Sequence, residues 1–259
     1  MSLTVLVFLT TTIPLSDSTL VINRENFIRT VNNQQNDSAA YYASEWFQIA
    51  RAVEDSLEIC RSGFALGFIM AATGQYEKSV EPYEVALSFA RSRGDTIRER
   101  TILNNLGVVY LNSEKYNEAI KYFQYSAAMR KPDDPFPYIN MGVCYFNLQD
   151  FEKAYSNFKK ASLLHEDAGL FINLAMVSVE LGNHSEAQKY IENLERHYLE
   201  DAAPEIRCGY HFILGKIYIA NHQINEAEME LTKSSEFAEK YQLKSWSKKV
   251  NEALKEIKR

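Results

Sequence analysis

Apolar residues recur with a helical period along most of the chain, and small residues punctuate the pattern at regular intervals. Leu66-Gly67, Leu106-Gly107, Met141-Gly142 and Leu214-Gly215 each lie inside such a stretch, and Leu174-Ala175 places Ala where the others have Gly. The small residues are 40, 35, 33 and 40 positions apart. Fixed offsets follow each one. Three positions on stand Met70, Tyr110, Tyr145 and Tyr218, with Ser178 as a lapse. Twelve on stand Ser79, Ala119, Ala154, Ala187 and Ala227, and sixteen on stand Tyr83, Phe123, Phe158, Ile191 and Leu231. A Gly or Ala on one helix and an Ala on the next let two backbones approach, and the large residues fill the space beside them. Neither helix buries its apolar face alone, so each pair needs a stacked neighbour.

The pattern predicts six helical hairpins and a final helix. First helices are expected near 24–34, 58–72, 96–112, 135–147, 168–181 and 204–221. Second helices are expected near 38–57, 76–92, 116–129, 151–164, 184–198 and 224–240. Gly74, Gly94-Asp95 and Gly182-Asn183 mark turns, and Asp95 is placed to cap the helix after it. The Pro132–Pro137 stretch breaks helix between the third and fourth hairpins, and Pro82 should kink its helix or mark a later start. Residues 243–258 read as an amphipathic cap with Trp246, Val250, Leu254 and Ile257 on one face. The expected organisation is an apolar leader at 1–23, a divergent hairpin at 24–57, five tandem hairpins at 58–242 and a basic cap at 243–259.

This chain resembles the tetratricopeptide-repeat family. The clearest copy reads Leu103-x2-Leu106-Gly107-x2-Tyr110, followed by Tyr116, Ala119, Phe123, Ala127 and Pro132. The resemblance is strong over about residues 58–240. A weaker copy upstream has Ala43-x3-Phe47-x2-Ala50 on its second helix and Val31 where Gly belongs, which suits a terminal unit. The resemblance implies an all-α, right-handed superhelical solenoid of about six hairpins plus the C-terminal capping helix. It also implies a concave groove lined by first helices. By position that groove receives Phe64, Phe68 and Ala71, then Asn104, Val108 and Leu111, then Ile139, Val143 and Phe146. Further on it receives Ile172, Met176 and Val179, and last Phe212, Lys216 and Ile219. Asn105, Asn140 and Asn173 form a ladder whose amides suit the backbone of an extended peptide, or else bond between adjacent helices. The basic clamp that some family members use to grip acidic chaperone tails does not fit. Asn105 matches one of its positions, but Phe64, Phe136 and Asn140 stand where cations belong.

Charge and composition narrow the function classes. The formal net charge is −6, which argues against binding nucleic acid through bulk charge. The basic residues gather at the end: Lys240, Lys244, Lys248, Lys249, Lys255, Lys258 and Arg259 against Glu252 and Glu256 give +5, leaving −11 elsewhere. That helix is expected to be a solvated cap, or a contact for an acidic partner or membrane surface. Leu3–Leu15 is apolar, too short to span a bilayer, and lacks a preceding Lys or Arg. A cytoplasmic location is the expectation, with export the alternative if this segment is a signal peptide. Three Cys, at 60, 144 and 208, make no disulfide framework and no Cys-x-x-Cys. The five His form no i,i+4 pair, and Asn36-Asp37-Ser38 and Asn183-His184-Ser185 are sequons without a known compartment.

No phosphate loop, dinucleotide fingerprint, zinc motif or nucleophile elbow is present, so no catalytic residue, metal or cofactor is expected. The reading is a non-enzymatic scaffold holding an apolar protein or peptide segment. The residues expected to bind it are Phe64, Phe68, Asn105, Val108, Leu111, Asn140, Val143, Phe146, Asn173, Met176 and Val179. A peptide-sensing protein acting on a separate regulator is the alternative. Direct DNA binding is not expected, since about 23 residues precede the first predicted helix.

Overall fold

The computed structural model describes residues 18–129 and 134–257. Thirteen α-helices and no strand occur among them. They fall into two compact units, Met1–Lys131 and Pro132–Arg259, which part at the predicted proline break. Unit 1 holds α1 (Ser18–Asn32), α2 (Asn36–Ala52), α3 (Ser56–Ala72), α4 (Tyr76–Ser92), α5 (Thr96–Asn112) and α6 (Tyr116–Ala128). Unit 2 holds α7 (Phe136–Asn147), α8 (Phe151–Ser162), α9 (Ala168–Glu180), α10 (His184–His197), α11 (Pro204–Ala220), α12 (Ile224–Lys240) and α13 (Lys244–Ile257). Within each unit consecutive helices pair as hairpins. The apolar leader lies largely outside the described residues, and α1 begins at Ser18, upstream of the predicted start.

Caps and turns set the boundaries. Asp55 accepts from the backbone amides of Leu57 and Glu58, and Asp95, Asp150 and Asp167 do the same for α5, α8 and α9. The Asp55 cap explains why α2 stops at Ala52 instead of running on to 57: the turn passes through Glu54 at φ 56° and α3 starts at once. Pro82 does not delay its helix, because α4 starts at Tyr76 and continues through it.

In four hairpins a glycine of the first helix marks a close approach of the second. A Cβ added at Gly107 would lie 2.5 Å from the Phe123 ring, and one at Gly142 would lie 2.5 Å from Phe158. Gly67 faces Tyr83 in the same way, and Gly215 faces Leu231. These are the residues sixteen positions on, so the repeated offset records a side chain of the second helix seated on the bare backbone of the first.

Each unit contains a buried or half-buried polar cluster. In unit 1, Glu58 and Arg61 are each only 1% exposed and form an ion pair of 2.7 Å. The Trp46 indole donates to the other carboxylate oxygen of Glu58 at 2.9 Å. In unit 2, the Glu230 carboxylate bonds to His211 Nδ1 at 2.6 Å and accepts from Lys233 Nζ at 2.7 Å. Burial alone would raise the Glu230 carboxyl, but the bonds to Lys233 and His211 outweigh it and hold the group below its ordinary value of 4.5. A depressed carboxylate contributes stability that is present above its unfolded value and lost as pH falls through its folded one. Thermal melts below pH 4.5 should therefore show the wild-type chain losing stability on acidification more steeply than Glu230→Gln.

Candidate protein-binding surfaces

The predicted groove residues divide into two groups. In unit 1, Phe68, Ala71, Asn104, Val108 and Leu111 remain half-buried, spaced at i, i+3 on α3 and at i, i+4, i+7 on α5. Phe64 does not join them. It is completely buried, 5.8 Å from the Tyr83 ring in an edge contact, and belongs to the core. The half-buried Asn105 side chain lies near enough to the Tyr83 hydroxyl, on the neighbouring α4, to act on its pKa, against the larger effect of burial.

Unit 2 differs because α13 turns inward. It packs along α12 and reaches α11, with Val250 and Ala253 fully buried. Trp246 stands edge-on to Phe212 at 5.6 Å and lies against Gly209, where an added Cβ would meet its ring at 3.1 Å. The Lys249 ammonium sits 5.8 Å from the Phe146 ring centre, 5.2 Å from that of Trp246 and 3.9 Å from Met176 Sδ. Desolvation there lowers the Lys249 pKa, with the Glu180 carboxylate pulling the other way. Lys216 pairs with Glu256 at 3.8 Å. Ile172, Met176, Val179 and Phe212 are buried, while Asn140, Val143, Phe146 and Asn173 stay half-buried. Thus Met176 and Val179, read as groove residues, are closed off in this conformation. Lys249, read as part of a separate solvated face, shares a site with Phe146.

A cleft that the pattern did not suggest lies in unit 1 between α4, α5 and α6, with a volume of about 660 Å³. Tyr110 and Tyr122 stack in its wall with ring centres 5.2 Å apart, and Tyr125 stands exposed at its edge. Burial, with Tyr110 and Glu84 nearby, pushes the Tyr122 hydroxyl up to about 12. Glu84, Arg91 and Lys121 rim it with charges of both signs. Only the richness in tyrosine hinted at this feature, and tyrosine at these offsets reads first as packing.

The cysteines are buried thiols. Burial pushes Cys60 up to about 11 and Cys144 up to about 12, and it raises Cys208 as well. Their neutral form suits a role as small buried packing residues. Among the described residues no three His, Cys, Asp or Glu side chains gather as metal ligands, and no helix is long and apolar enough to cross a membrane.

Stacked hairpins with Gly seated against aromatic rings, and half-buried faces on their first helices, define a helical-repeat protein. Tetratricopeptide-repeat family models match residues 100–131 and 137–164. Subunit 3 of the anaphase-promoting complex from Schizosaccharomyces pombe is 28% identical over 149 residues, 57% of this chain. That match spans 20% of the relative's length. Among solved structures, MamA from Desulfovibrio magneticus RS-1 (from residue 41 to its end) aligns with a TM-score of 0.62 and 19% identity, over 72% of this chain and 99% of that one. A chain of the Cut9–Hcn1 hetero-tetramer of the APC/C aligns with a TM-score of 0.65 and 16% identity, over 92% of this chain and 42% of that one. At such identities the likeness is one of fold. Residues 100–131 and 137–164 thus read as tetratricopeptide repeats, set in an all-helical fold like that of the solved repeat structures.

Proposed function

We propose that the chain is a non-enzymatic scaffold that holds an apolar protein segment along the first helices of unit 1. The supporting observation is the row Phe68, Ala71, Val108 and Leu111, which stays half-exposed while the neighbouring Phe64 is sealed in the core. Covering such a row with a partner's apolar side chains is favourable by roughly 25 cal/mol per Å². Asn104 stands beside Val108 and Leu111 on the same face of α5. Phe146 is a weaker anchor than its position suggests, because the Lys249 ammonium already covers it.

Capture of partners on the intact chain, followed by mass spectrometry, tests this reading. The doubly substituted Val108→Asp/Leu111→Asp chain should lose the captured partner by at least about tenfold, since carboxylates cannot be buried against apolar side chains cheaply. Gln124→Glu, on the exposed face of α6, should keep it. Equal capture by the two variants, with helicity preserved in both, would place recognition elsewhere.

A further inference from the structure

The cleft of unit 1 is walled chiefly by two second helices, not by first ones. α4 contributes Glu84 and Arg91 at i and i+7. α6 contributes Glu118, Lys121, Tyr122 and Tyr125 at i, i+3, i+4 and i+7, so that one face of each helix looks into it. Leu87 and Leu103, 6% and 2% exposed, are the buried apolar part of the lining. The volume of about 660 Å³ falls within the range of small-molecule sites, roughly 300–1,000 Å³.

Two features give this lining a chemistry. The first is aromatic. The Tyr110 and Tyr122 rings lie nearly parallel, 10° apart in plane, and Tyr125 stands 60% exposed one turn further along α6. A flat apolar group laid against such rings gains more than its buried area alone. The second is charge. Two carboxylates, Glu84 and Glu118, and two cations, Arg91 and Lys121, give a rim that is neutral in sum. Arg91 donates from Nε to Glu99 at 2.7 Å, which orients the guanidinium and leaves its two Nη groups for a further acceptor. Glu84 and Arg91 are seven residues apart on α4, yet both act on the Tyr122 hydroxyl and in opposite senses. Both signs of charge therefore converge on the stacked rings.

That balance selects the ligand. A purely apolar occupant would take four charges out of water without replacing their hydration. A simple anion is repelled by Glu84 and Glu118, and a simple cation by Arg91 and Lys121. A molecule with an aromatic body and one charge of each sign answers the whole lining. We propose that the cleft is a binding site for a small aromatic zwitterion, a free aromatic amino acid or a compound of the same chemistry. Its ring lies on the Tyr110–Tyr122 pair, its carboxylate meets the Arg91 Nη groups and Lys121, and its ammonium meets Glu84 and Glu118. The cleft shares no residue with the row Phe68, Ala71, Val108 and Leu111, so either reading can fail without the other.

The test titrates L-tryptophan into the full chain by isothermal calorimetry. Tryptamine and indole-3-propionate serve as probes that keep the ring and one charge each. L-Tryptophan should bind with a Kd of about 1 mM or tighter, and each single-charge probe at least about fivefold more weakly. Arg91→Gln should weaken L-tryptophan and indole-3-propionate by at least about fivefold and leave tryptamine unchanged or tighter, since only a carboxylate uses the guanidinium. Tyr122→Ala should weaken all three. If that variant fails to fold, Arg91→Gln still decides, because Arg91 is exposed and the three probes are compared on one folded protein. Three results would each overturn the proposal: no saturable heat up to about 10 mM L-tryptophan, equal affinity for the three probes, or equal weakening of all three by Arg91→Gln. Arg91→Gln should leave capture of a protein partner unchanged. Loss of capture would make the cleft part of a protein interface and overturn its assignment to a small ligand.

Discussion

Arg61→Leu should destabilise the chain by about 3–5 kcal/mol, enough to unfold unit 1 or bring it close to unfolding at moderate temperature. The reason is what the substitution leaves behind. Glu58 is 1% exposed and its carboxylate is held by Arg61 on one oxygen and by the Trp46 indole on the other. Removing the cation strands a charge in the core with a single neutral donor, and the carboxylate must then either stay unpaired or take up a proton. The double variant Glu58→Leu/Arg61→Leu should recover much of the loss, because two well-packed apolar side chains replace both charges. Its recovery stays incomplete, since Trp46 Nε1 then loses its acceptor, a cost of about 1–3 kcal/mol. Urea melts of the two single variants and the double one give the coupling energy. Additive effects would mean that the pair, although buried together, does not act as a unit.

Gly107→Leu should cost on the order of 3 kcal/mol, and Gly107→Ala should already be measurably destabilising. The first atom of any side chain at this position meets Phe123 at 2.5 Å, well inside van der Waals contact. Phe123 is completely buried, so its ring has no free space to move into, and α5 and α6 must separate instead. Separation also disturbs Tyr110 and Tyr122, which stack across the same hairpin. A melting temperature within error of the parent would contradict the hairpin register. Gly74→Ala offers a contrast, since nothing lies within 4 Å of its Cβ position and only its φ of 77° is at stake. Its loss should be the smaller one, of about 1 kcal/mol.

Much of the fold was legible because close helix approach demands small residues at fixed places. The spacing of Gly67, Gly107, Gly142 and Gly215 to Tyr83, Phe123, Phe158 and Leu231 identified the contact pairs themselves. Helix ends were less legible where a cap was overlooked: Asp55 ended α2 early by starting α3. The half-exposed face proposed for binding was legible only as a stripe. Phe64 and Phe68 lie four residues apart on one stripe of α3, yet one is core and the other half-exposed. A helical apolar stripe is wide enough to include both positions, so periodicity cannot separate them. Glu58 and Arg61, three residues apart, read locally as an ordinary surface pair. Their burial depends on Trp46, which belongs to the preceding hairpin.

By itself the amino-acid sequence determined the repeat, the pairing of helices within each hairpin and the all-helical class, because those rest on contacts between residues a fixed short distance apart. The tertiary structure alone decided which groove positions remain open. It buried Phe64, and it carried α13 onto Phe146, Met176 and Phe212. Lys249 and Phe146 are more than a hundred residues apart along the chain. Their meeting depends on how successive hairpins stack within unit 2, a geometry set by the summed packing of many side chains and encoded in no local period.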